Sequence, residues 1–115
     1  MLESQELMIN DNHLLALPSS FRNLTSLTTL DASENKLATI PDELGECLML
    51  EELFLRDNQL VTLPDGIRNC SKLRHIDLAN NLFEKKSKPG DLVLYIDALA
   101  YLDLKGNPCA KSTKK

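Results

Sequence analysis

The sequence predicts one α/β solenoid: a horseshoe segment of stacked coils with short parallel strands on its concave side and 3-10 or short helical turns on its convex side. Three observations carry this. Asparagine recurs at Asn12, Asn35, Asn58 and Asn81, each step 23 residues. Aliphatic residues travel in register with it, so that Leu27, Leu30 and Leu37 become Leu50, Leu53 and Leu60, then Leu73, Ile76 and Phe83. Proline follows the apolar block at the same interval, at Pro18, Pro41 and Pro64. A fixed period of this size marks units that cannot bury their own apolar face and must stack to do so.

Each slot of the coil has a physical reading. Leucines alternate with other residues around Leu53 and Leu55, the pattern of a short strand that buries one face. Parallel strands from successive coils would pair into a curved sheet. The asparagine follows the strand, where the chain turns. Its amide both donates and accepts, so stacked asparagines can satisfy buried turn backbone from one coil to the next. The prolines fix φ and remove a donor where the convex segment begins. Asp42, Glu43 and Asp65 come next, acids suited to a helical first turn. Phe21, Leu44 and Ile67 then precede Leu24, Cys47 and Cys70 by three residues, the spacing of a 3-10 or short helical turn.

Two slots break the pattern. Ala32 stands where other coils carry Ile9, Leu55, Leu78 and Leu104, and predicts a packing deficit or a bulky neighbour there. The fourth coil is 26 residues long, from Leu73 to Leu99, and replaces its Leu-Pro pair within Glu84-Lys85-Lys86-Ser87-Lys88-Pro89-Gly90. That stretch reads as an exposed basic loop. Leu92, Ile96 and Leu99 then predict a short helix.

The template L-x-x-L-x-L-x-x-N-x-L-x-x-L-P, held over several copies, resembles the leucine-rich repeat family in its 23-residue Leu-Pro form. The resemblance covers nearly the whole chain. It places a repeat domain over residues 1–109, with repeats near 4–26, 27–49, 50–72, 73–98 and 99–109, ahead of a disordered basic tail at 110–115. The closing Leu99–Cys109 segment is similar to the last strand and Asn-Pro turn of family members. The resemblance implies protein–protein recognition of the intracellular scaffold or adaptor kind; some such relatives act in small GTPase or phosphatase pathways.

Composition narrows the classes. The net charge of −4 argues against nucleic acid as the main partner, because phosphate binding needs a basic face. No apolar run approaches the roughly 18 residues of a membrane span. The start lacks a basic n-region and an apolar h-region. Cys47 and Cys70 share one core slot and read as small buried residues in a reducing compartment, while Cys109 near the end is expected to be partly exposed. This predicts an intracellular, cytoplasmic location. There is no G-x-S-x-G elbow, phosphate loop, H-E-x-x-H or zinc spacing, and His13 and His75 fall in different slots. The expectation is a non-catalytic chain with no cofactor and no metal.

Function then rests on residues between the inward leucines. One concave row is Glu6, Thr29, Glu52, His75 and Tyr101; the next is Met8, Asp31, Phe54, Asp77 and Asp103, with Arg56 just beyond. A central aromatic with a polar rim has the makeup of an interface hot spot. The surplus of acids fits a protein partner with a basic patch. Ser4 stands where a leucine belongs, so the strand at Leu7–Ile9 should be an open parallel edge, covered by a partner or another copy. That edge supports two other readings: a structural subunit of a large axonemal or organellar assembly, or the recognition piece of a longer signalling protein.

Overall fold

A computed structural model describes residues 5–87 and 96–113, with the backbone alone for Phe21, Ser87 and 111–113. Five short strands form one parallel sheet in chain order: β1 (Gln5–Met8), β2 (Leu27–Asp31), β3 (Glu52–Phe54), β4 (His75–Asp77) and β5 (Tyr101–Asp103). The register follows the sequence period, with Leu30 beside Leu53, Leu53 beside Ile76, and Ile76 beside Leu102. A bulge separates Gln5 from Glu6, where β1 begins to pair with β2. The sheet is open at both ends. The chain is therefore a solenoid, as its alternating leucines require.

The return segments are 3-10 turns: η1 (Ser19–Asn23), η2 (Asp42–Glu46), η3 (Asp65–Asn69), η4 (Lys85–Ser87) and η5 (Pro108–Thr113). Pro41 and Pro64 sit at the N-caps of η2 and η3 in extended conformation, with the acids Asp42, Glu43 and Asp65 in the first turns. Gly45 lies where η2 meets η3; a methyl group there would overlap the Gly66 carbonyl oxygen. Only a residue without Cβ permits that approach. The helix expected over Leu92, Ile96 and Leu99 is a turn at its described end, where the Leu99 N–H bonds to the Ile96 carbonyl; residues 88–95, with the end of the basic loop, lie outside the described residues, as do Ser4 and 114–115. The last 3-10 turn reaches Thr113, into the stretch read as a tail.

Between sheet and turns lies an aliphatic core. Leu27, Leu30, Leu37, Leu44, Leu50, Leu53, Leu55, Leu60, Ile67, Leu73, Ile76 and Phe83 are essentially fully buried. Ala32 belongs to the same cluster and is itself fully buried. Cys47 and Cys70 are buried and not joined in a disulfide, and Cys70 donates to the Leu44 carbonyl oxygen at 3.5 Å. Burial pushes the Cys70 thiol up to about 12, with Cys47 adding to it.

The asparagines join coil to coil. Asn58 donates through Nδ2 to the carbonyls of Ala32, Leu55 and Arg56, and its Oδ1 accepts the Leu37 N–H at 3.0 Å. Asn35, Asn81 and Asn107 repeat the arrangement, accepting from Leu14, Leu60 and Phe83. Each amide thus pairs backbone groups that would otherwise be buried without partners, a loss worth about 1–3 kcal/mol per group. The residue before each asparagine is left-handed: Asp11, Glu34, Asp57 and Asn80 have φ of 57, 57, 60 and 59°, and Gly106 has 81°.

Candidate functional site

The inward leucines turn the intervening residues of every strand to the concave face. Glu6, Thr29, Glu52, His75 and Tyr101 are neighbours across the five strands, and Met8, Asp31, Phe54, Asp77 and Asp103 form the adjacent row. The structure therefore brings the sequence-predicted residues together on one surface. Their environments differ sharply.

Three rings run diagonally across the middle and carboxyl half. Phe54 and His75 have centroids 5.0 Å apart at an interplanar angle of 45°. His75 stacks on Tyr101 at 4.4 Å and 21°. Phe54 and His75 are half-buried, and Tyr101 is 47 % exposed. Offset ring pairs of this kind add about 0.5–1.5 kcal/mol beyond their burial, so the row is pre-ordered before anything binds. Sequence reasoning found Phe54 and Tyr101 but did not connect them through His75. The signal was the strand register, which places His75 between them.

The carboxylates divide into engaged and unengaged groups. Asp31, Asp77 and Asp103 each accept, through Oδ1, the backbone N–H two residues on, from Ser33, Ala79 and Lys105. These bonds close the turn after the strand, a structural task the concave reading did not assign them. Asp77 is only 8 % exposed and also pairs with Arg56 at 3.4 Å, so it presents little surface. Asp77 thus closes its turn and anchors Arg56. Tyr101 donates its hydroxyl to Asp103 at 3.1 Å, which pushes the phenol's pKa up, while the Lys105 N–H holds the Asp103 carboxyl below its usual range. Glu52 takes the Thr29 hydroxyl and Arg74, both at 3.2 Å. Among the described residues, Glu6 and Asp31 form no ion pair.

Among the described residues, β1 pairs with β2 alone and has one free side. Gln5, Glu6 and Met8 are exposed, and Leu7 is half-buried. A cleft of about 380 Å³ opens there between Gln5, Glu6, Leu7, Leu24 and Leu27. Asn12 is exposed and bonds only to carbonyls of its own turn, Ile9 and Asn10. Among the described residues, no group of three or more His, Cys, Asp or Glu is placed to hold a metal ion. None of the described helices is long and apolar enough to cross a membrane.

The strand–asparagine–turn coil, repeated in register, is shared with known proteins. The sequence model of the leucine rich repeat family matches residues 5–60. The chain is built of leucine-rich repeats. A Leptospira interrogans leucine-rich repeat protein superimposes with a TM-score of 0.80 at 28 % identity, over 89 % of this chain and 25 % of that one. A chain of the BIR3–SERK2 complex from Arabidopsis thaliana follows at 0.65 and 27 % identity, over 90 % of this chain and 50 % of that one. An internalin from Listeria monocytogenes shares the fold at 0.69 and 23 % identity, over 80 % of this chain and 26 % of that one. These leucine-rich repeat chains are thus two to four times as long as the stretch they share with this one. No curated relative matches the chain significantly. Repeat domains of this kind are generally protein-interaction modules without catalytic chemistry.

Proposed function

We propose that the chain binds a protein partner on its concave face, without catalysis, through a patch centred on Phe54. The observation that carries this is the ring row Phe54–His75–Tyr101, ordered on an open sheet surface where apolar rings serve no core. Met8, 57 % exposed on the same face, extends the apolar contact. Carboxylates outnumber Arg56 and Lys105 around these residues, so a partner surface with a basic patch is complementary. The buried cysteines Cys47 and Cys70, not joined in a disulfide, suit a reducing interior, which supports the intracellular, scaffold-type reading. The BIR3–SERK2 chain comes from a two-protein complex, in keeping with the same class of function.

The test is affinity capture with the wild-type domain beside Phe54→Ala, read by mass spectrometry. A partner should be lost with the variant, whose stability should fall by about 1–2 kcal/mol through the lost ring pair and half-burial, short of a core truncation. Equal recovery of every partner by both proteins removes the concave site.

The open side of β1 favours a second reading, in which this chain is the recognition piece of a longer protein or a subunit of a larger assembly. A strand edge with a half-buried leucine row is a template for another coil. Hydrogen exchange reads this directly: Glu6 and Met8 amides should exchange fast here and slowly once the edge is covered.

A further inference from the structure

Resting on the concave reading, we propose that the amino half of the face, at Asp31 and Phe54, takes an arginine side chain of the partner protein. The two residues are register neighbours on β2 and β3, and Met8 flanks Asp31 on β1. Adjacent strands lie roughly 4.8 Å apart, so a carboxylate and an aromatic ring stand side by side at one depth. His75 leans on Phe54 from the β4 side. Asp31 occupies the opposite, β2 side.

Charge separates the two halves of the face. Towards the carboxyl end each acid is already occupied: Asp77 by Arg56, Asp103 by the Tyr101 hydroxyl, Glu52 by Arg74 and Thr29. Asp31 spends one oxygen on the Ser33 N–H and, among the described residues, carries no cation. Glu6, diagonal to it on β1, carries none either. The uncompensated negative charge therefore collects beside the Phe54 ring and the Met8 side chain. A guanidinium meets this combination better than an ammonium. Its planar fork pairs with a carboxylate edge while its face lies on a ring, and its stem packs on an apolar neighbour.

The experiment is selection of a phage-displayed random peptide library on the immobilised protein. Enriched peptides should share an arginine. Resynthesis with citrulline, which keeps the shape and removes the charge, should weaken binding by roughly tenfold or more, the loss of one charge-assisted pair. Asp31→Asn should give the same loss, since its Oδ1 still accepts from Ser33 and the fold is kept. Asp103→Asn, on an acid already engaged, should change affinity little. Peptides without arginine whose binding still falls with Phe54→Ala overturn the arginine assignment and leave the concave reading standing. An equal-affinity citrulline peptide, or equal loss with Asp31→Asn and Asp103→Asn, has the same consequence. No enrichment, or peptides indifferent to Phe54→Ala, overturns both.

Discussion

The first and third coils carry the same template and live in different surroundings. Leu53 on β3 is fully buried between β2 and β4, while Leu7 on β1 has a neighbour on one side only and stays half-exposed. Asn58 bridges two coils; Asn12 reaches only its own turn. Identical chemistry therefore stabilises in proportion to the neighbours it has. The solenoid's free energy resides in the interfaces between coils rather than in the coils themselves.

Truncation should expose this difference most strongly in the core. Leu53→Ala should cost about 2–5 kcal/mol through the cavity it leaves, against about 1 kcal/mol for Leu7→Ala. Urea titration of the two variants measures the gap, and equal losses would break the comparison. The ladder comes next. Asn58→Ala strands the Leu37 N–H and several carbonyls, an expected loss of about 2–3 kcal/mol, whereas Asn12→Ala should stay within about 0.5 kcal/mol.

The third coil also holds Cys70 where the first has Leu24, and pH separates them. Burial raises the folded thiol from 9.0 to about 12. Below pH 9 the thiol is neutral in both states and its contribution is complete. As pH climbs from there towards 12, the unfolded chain ionises and the folded one does not, so stability falls. Urea midpoints should therefore drop on the alkaline side in the wild type and drop less in Cys70→Val. The smallest effect belongs to the turn slot. Glu34 holds a left-handed φ that Asp11, Asp57 and Asn80 tolerate better. Glu34→Asn should stabilise by about 0.5 kcal/mol, read as a small rise in melting temperature.

The fold was legible because its signals were redundant. Strand, asparagine and proline recur together, and the register places Leu30, Leu53 and Ile76 side by side as the period demands. The candidate face was legible only as a set of rows. Alternation says which residues point outward. It does not say that Asp77 is covered, that Arg56 turns back onto it, or that His75 joins two rings, because those depend on side-chain reach between strands. The left-handed slot was hidden for another reason. Asp, Asp, Asn and Gly at that position were a turn signal, but Glu34 diluted it.

The long fourth coil shows where this architecture accepts extra chain. The Leu99 N–H bonds to Ile96 just as Leu73 bonds to Cys70, and Phe83 still meets Asn107. All three additional residues thus fall between Phe83 and Ile96 in the chain. The β4–β5 register is unchanged by the added length, which marks the segment between Phe83 and Ile96 as the natural seat for an epitope or fluorophore graft.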